Sequence, residues 1–130
     1  MVSPYLVGLI VFLVFDFLWL GSNINSYKRL VALVQKEEMQ FNTLGLLAYP
    51  FLYLGLVLIA YPQAKIALAN GDSKVVAALK AGGMLGLVIY GTFNFTNIAM
   101  FKEYDLLTGL KDTVWGGVLF FVATLAMIWF

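Results

Sequence analysis

The chain has 130 residues, of which 62% are hydrophobic and 12% charged, and its formal net charge is +1. A soluble domain is about 45–50% apolar and about 25% charged, and a chain this short has too little interior to hide the excess, so one integral membrane domain, 1–130, embedded in a lipid bilayer is expected. The near-neutral charge excludes a basic field for nucleic acid. The absence of cysteine and histidine removes disulfides, thiolate nucleophiles, imidazole bases and the commonest zinc and haem ligands, so neither metal nor cofactor is expected.

A membrane-crossing helix takes about 20 mostly apolar residues. The N-terminus reads MVSPYLVGLIVFLVF, and the first such run is 3–24. It lacks a positively charged start and a small-residue cleavage site, so it reads as a retained span and not a signal peptide. The connection SYKRLVALVQKEE follows. Tyr27, Leu30, Val31 and Val34 share one helical face there, which predicts either a short interfacial helix or a first span running past the bilayer. The second run is 43–61, with Pro62 marking its end. A turn at Asn70-Gly71-Asp72-Ser73, with Ser73 as the cap, opens the third run, 75–101. The fourth is 112–130, after Thr108-Gly109. Apolar runs of this length satisfy their own backbone only as helices, whereas barrel strands would alternate and be half as long. The fold class is therefore all-α, an integral membrane bundle of four transmembrane helices.

Lysine and arginine in short loops set orientation. Lys28, Arg29, Lys36, Lys102 and Lys111 lie on the side of the first and third connections. Lys65 and Lys74 lie on the other, with Lys80 snorkelling outward from the third span. The bias predicts loops one and three in the cytoplasm and both termini outside. VFDFLW in the first span echoes TFNFTN in the third, which reads either as a 2+2 parallel pseudo-repeat or as chance. A second echo links Asp16-Phe-Leu-Trp19 to Asp112-Thr-Val-Trp115.

The third span carries an unusual load of polar groups in YGTFNFTNIAMF. Gly82, Gly86, Tyr90, Asn94 and Asn97 fall on one helical face. The two glycines form a small-xxx-small pair that lets another helix approach closely. That face is expected to point into the bundle, with Phe93 and Phe95 diverging from it. In the first span Asp16, Trp19 and Asn23 share a face, and in the second Tyr49 and Tyr53 do so across Pro50. Asp112 and Trp115 open the fourth span from the same side. Asp16, Trp19, Asn23, Tyr49, Tyr53, Tyr90, Asn94, Asn97, Asp112 and Trp115 are therefore expected around one pocket in one half of the membrane, with Asn94 close in depth to Asp16 and a candidate partner for it.

Each member has a plainer reading. Asp112 before an apolar run is an N-cap. The tryptophans are interfacial belt residues, and Asn94, Thr96 and Asn97 are glue between helices. Asp16 resists such a reading, because a carboxylate near mid-membrane costs about 2.5–3.5 kcal/mol on insertion scales and is by default a functional hypothesis. No nucleophile elbow, phosphate-binding loop or dinucleotide fingerprint accompanies it.

The stretches DFLWLG, YGTFNFTNIAMF and DTVWGG, in this order and spacing, resemble the domain-of-unknown-function 2177 family, small four-span membrane proteins of bacteria and some large viruses. The resemblance covers nearly the whole chain. It rests most on Asp16, Trp19 and Gly21, on Tyr90, Thr92, Thr96 and Asn97, and on Asp112, Trp115 and Gly116. It implies a four-helix membrane protein and supplies no activity. Where the family pattern carries an acid, this chain has the amide Asn94.

Three functions are consistent with these residues. The first is a small transporter or channel-like protein for a small polar solute, cation or proton. The second is a structural or accessory subunit of a larger membrane assembly. The third is a membrane-embedded lipid-modifying enzyme whose base would be Asp16 or Asp112. A bundle this thin is expected to form a homodimer.

Overall fold

The computed structural model describes residues 2–129. They form four long helices: α1 (Pro4–Gln35), α2 (Thr43–Ala69), α3 (Lys74–Met100) and α4 (Leu106–Trp129), each long and apolar enough to cross a membrane. No strand occurs among the described residues, and the all-α membrane bundle expected from composition and run length is the architecture found.

Neighbouring helices run antiparallel. Gly8 of α1 lies against Met127 of α4, and Asp16 lies against Trp115. Along α3 and α4, Gly82 meets Thr124 and Tyr90 meets Gly116. Tyr5 and Asp16 of α1 meet Tyr61 and Tyr49 of α2. The α4 helix is the most deeply covered, with Gly116, Gly117, Leu119, Phe120, Ala123 and Thr124 all buried. Large apolar side chains such as Leu18, Phe51, Leu58 and Val88 are exposed on the outside, where lipid is as good a solvent for them as a protein interior.

Two apolar clusters hold the bundle. Phe12, Leu56, Ala60, Leu119, Phe120, Ala123 and Met127 form the larger, and Ala64, Ala77, Ala78 and Ile128 the smaller, nearer the α2–α3 turn. Between α3 and α4 the backbones nearly touch. A Cβ added at Gly86 would collide with the Gly116 carbonyl oxygen, and one at Gly82 with the Thr124 hydroxyl and the Phe120 carbonyl.

The helix ends follow local chemistry. The α1 helix runs on to Gln35, about 48 Å at 1.5 Å per residue, well beyond a hydrocarbon layer of about 30 Å. The first connection is thus largely the first helix continued. It stops where Lys36 turns left-handed at φ 63 and its N–H bonds to the Ala32 carbonyl. The α2 helix opens with a tight 3-10 turn, Thr43–Leu47, capped by the Asn42 side chain accepting from the Leu44 N–H. It also continues through Pro62 to Ala69, past the end expected at that proline. A widened π-helical stretch, Leu56–Ala60, precedes the ring and accommodates its approach to the carbonyl four residues back. Gly71 supplies the positive φ of the next turn, and the Ser73 hydroxyl accepts from the Val76 N–H at 3.2 Å, the expected cap.

The α4 helix begins at Leu106, six residues before the start expected at Asp112. Asp112 is therefore inside the helix and is not its N-cap. That role belongs to Asp105, whose carboxylate accepts from the Thr108 hydroxyl at 2.6 Å and from its N–H at 3.2 Å. The hydroxyl first, then the N–H, hold the Asp105 carboxyl below the usual carboxylate range.

Candidate functional site

Asp16 sits at mid-helix on α1 and is 6% exposed. Lipid offers its oxygens no donors, so the bundle must supply them. The Tyr49 hydroxyl of α2 donates to one oxygen at 2.7 Å, and the Trp115 indole N–H of α4 donates to the other at 3.3 Å. Three helices meet at this carboxylate, and the candidate partner Asn94 is not among its contacts.

Asn94 does face the interior and is 1% exposed, while Phe93 and Phe95 point outward at 59% and 47%. The expected face of α3 is thus turned inward. The partner differs because Asp112, lying inside α4, reaches Asn94 first. The Asn94 amide donates to Asp112 at 2.7 Å and to the Tyr90 carbonyl at 2.8 Å. The Asn94 carbonyl oxygen accepts from the Tyr104 hydroxyl at 2.7 Å. The second Asp112 oxygen accepts from the Tyr27 hydroxyl at 2.6 Å.

The two carboxylates are linked through tryptophan. Trp19 and Trp115 stack with centroids 4.7 Å apart and planes 4° from parallel. Trp115 serves Asp16, while the Trp19 indole N–H donates at 2.8 Å to Tyr27, which serves Asp112. Trp115 thus serves the carboxylate of the other segment directly, and Trp19 does so only through Tyr27, on two antiparallel helices. The echo noticed between the first and fourth spans has this physical content. Trp19 and Trp115 take part in the interior contacts, whereas Trp129 lies at the opposite end under the Lys74 ammonium, 4.9 Å from its ring.

The remaining candidates divide. Tyr90 packs on Gly116 and accepts from Asn94 through its carbonyl. Asn23 donates at 3.0 Å to the Trp19 carbonyl one turn back and stays local. Tyr53 donates to the Tyr5 carbonyl at 2.8 Å, toward the other end of α1 and away from both aspartates. Asn97 lines a cavity on the loop side. Tyr27 and Tyr104 are network members that sequence reasoning did not single out. The only signal was Tyr27's place on the apolar face with Leu30, Val31 and Val34.

Two cavities reach Asp112. One, about 310 Å³, is walled by the last turns of α1 and by loop three, with Tyr27, Val34, Asn97, Phe101 and Tyr104 among its lining. The other, about 320 Å³, lies between α2 and α3 and is lined by Ala48, Phe51, Leu52, Ile89, Tyr90 and Phe93 as well as Asp112. Neither carboxylate has a cationic partner among the described residues. Among the described residues the ion pairs are Arg29–Asp105 and Lys80–Asp72, both elsewhere, and no group of three metal-ligating side chains occurs among them.

No curated protein and no solved structure matches the chain. A family model described as a predicted membrane protein matches residues 1–129. With four membrane-length helices and nearly the full sequence matched, the chain belongs to the domain-of-unknown-function 2177 family of predicted membrane proteins.

Proposed function

We propose that this protein is a small transporter-like membrane protein whose site takes a cationic solute, with Asp112 as the receiving carboxylate. The observation that supports this most is a pair of carboxyl groups without a cationic partner among the described residues. Asp16 and Asp112 are surrounded by Tyr, Trp and Asn donors, with no lysine or arginine in salt-bridge range among the described residues. A half-buried carboxylate inside a membrane bundle without a counter-charge is costly, and a bound cation relieves that cost. Each Asp112 oxygen accepts one bond from the protein and keeps a further lone pair for a ligand.

Access supports a one-sided site. The loop-side cavity reaches Asp112 past Tyr27 and Tyr104, while the opposite half is filled by Phe12, Leu56, Phe120 and Met127. A closed apolar half argues for alternating access and against a continuous pore. Asp16, closed off by two donors, favours a second reading in which it only fixes helix packing, as a structural subunit would require. The charge bias of the loops favours the cytoplasm for the open side. A cysteine introduced beside Lys36 should then be shielded from an impermeant reagent added outside, and one beside Ser73 should react; the reverse pattern would invert the assignment.

The site itself is tested with butylamine, a short cation at neutral pH. Purified protein in nanodiscs should bind it, and Asp112→Asn should weaken binding about tenfold or more, the loss expected for one desolvated charge pair. Asp16→Asn should keep the fold. Absence of binding to the unaltered protein, or equal binding by Asp112→Asn, removes the cationic-solute reading and leaves the structural one.

A further inference from the structure

We propose that the solute is amphipathic and enters sideways from the bilayer: a long-chain primary amine whose tail lies in the cleft between α2 and α3 and whose ammonium meets Asp112. The proposal rests on Asp112 being the cation-receiving group and adds the class of ligand and its route.

The cleft between α2 and α3 is apolar along its length. Ala48, Phe51, Leu52, Ile89 and Phe93 wall it, and Asp112 with Tyr90 lies at its inner end. Its volume, about 320 Å³, falls in the range of small-ligand sites, about 300–1,000 Å³. Phe51 and Phe93 are among the most exposed side chains of the bundle, so the mouth opens on the lipid-facing surface. A solute dissolved in water has no use for such an entrance. An alkyl chain already in the bilayer does.

Depth agrees with this route. Asp112 is six residues into α4, roughly 9 Å along the helix axis from its start. Phe93 is seven residues before the end of α3, roughly 10 Å by the same rise. Both lie within about two turns of the loop-side helix ends, a depth that suits the head of an amphiphile. A tail entering between α2 and α3 therefore brings an ammonium group to the carboxylate without crossing the apolar core.

Charge selects the head. The cleft ends on a carboxylate with no cationic partner, and its two resident donors are neutral. An anionic or zwitterionic phosphate head would meet repulsion there, and an uncharged alcohol would leave the charge unbalanced. Phe93 and Asp112 line both cavities. Phe93 therefore stands as the partition between a lipid-side chamber for the tail and a loop-side chamber toward which the head would leave.

The test compares dodecylamine with butylamine on the protein in nanodiscs, using the unaltered chain, Asp112→Asn and Ala48→Trp. Ala48 is exposed on the cleft wall, so the indole would fill the cleft without entering the core. Expected is an at least tenfold weaker binding of dodecylamine to Ala48→Trp with butylamine unchanged, and loss of both ligands in Asp112→Asn, tenfold corresponding to about 1.4 kcal/mol. Dodecanol should not compete. If Ala48→Trp binds dodecylamine as the unaltered chain does, lateral entry is overturned while the Asp112 site stands. The same result accompanied by a changed oligomeric state would assign the cleft to a second copy of the chain. If neither amine binds the unaltered chain, the site reading and this inference fall together.

Discussion

Gly86→Val should cost the bundle more stability than any other single substitution considered. A Cβ at Gly86 would run into the backbone carbonyl of Gly116, and the α4 backbone cannot step aside as a flexible side chain does. The clash is not isolated. Gly116 itself is pressed against the Tyr90 ring, and Gly82, about one turn from Gly86, receives the Thr124 side chain. Moving α4 outward to relieve one contact opens the others. Overpacking a tight interior costs about 1–3 kcal/mol and occasionally more, and a backbone collision belongs at or above the top of that range. The effect should also reach the site, because Asn94 on α3 and Asp112 on α4 are joined by a bond of 2.7 Å that needs the two helices at their present separation. Gly21→Val is the matched control. Nothing lies within 4 Å of a Cβ built there, so the same added volume should be nearly neutral. Denaturation midpoints measured in one detergent separate the two; equal midpoints would mean that the close α3–α4 approach does not hold the fold.

The helices were legible because the bilayer makes them so. A run of about 20 apolar residues has one way to satisfy its backbone in lipid, and that constraint does not depend on knowing neighbours. The inward aim of Asn94 was legible for a related reason, since helical period aligned it with Gly82 and Gly86, and lipid offers an amide no partner. Helix ends were harder. Hydropathy sees hydrocarbon, and α1 keeps going to Gln35 after the hydrocarbon has ended, so the sequence left a separate interfacial helix and a continued first span both open around Tyr27. Pro62 looked like a terminus because a π-helical turn that carries a helix past a proline leaves no mark in composition. The starting point of α4 had the largest consequence. With Leu106 and Leu107 assigned to a connection, Asp112 became a cap and Asn94 had only Asp16 to bond. With Asp105 as the cap, Asp112 moves two turns inside and takes the amide. Partner choice is a matter of relative helix position, and no period within a single helix contains it.

Asn94→Leu should destabilise the protein by about 1–3 kcal/mol, the penalty for leaving buried polar partners unsatisfied. Leucine keeps the branched shape, adds some bulk, and removes three bonds: amide to Asp112, amide to the Tyr90 carbonyl, and the Tyr104 hydroxyl to the amide oxygen. Interhelical hydrogen bonds in membranes average only about 0.6 kcal/mol, because groups in an unfolded membrane-embedded state also find partners. Two features push this case higher. Asn94 is 1% exposed, so no water replaces it, and its carbonyl ties down loop three through Tyr104. Asp112 limits the loss, since it lines two cavities and can be rehydrated from the loop side. The network predicts where the cost is shared. In a double-mutant cycle Asn94→Leu and Tyr104→Phe should be non-additive, because the first already removes the acceptor of the second. Asn94→Leu and Tyr49→Phe should add, because Tyr49 serves Asp16, beyond the stacked tryptophans. Additivity in both cycles would mean that Tyr104, Asn94 and Asp112 do not act together. Coupling in both would mean that the Trp19–Trp115 stack transmits strain between the two carboxylates, and that Asp16 and Asp112 behave as one site.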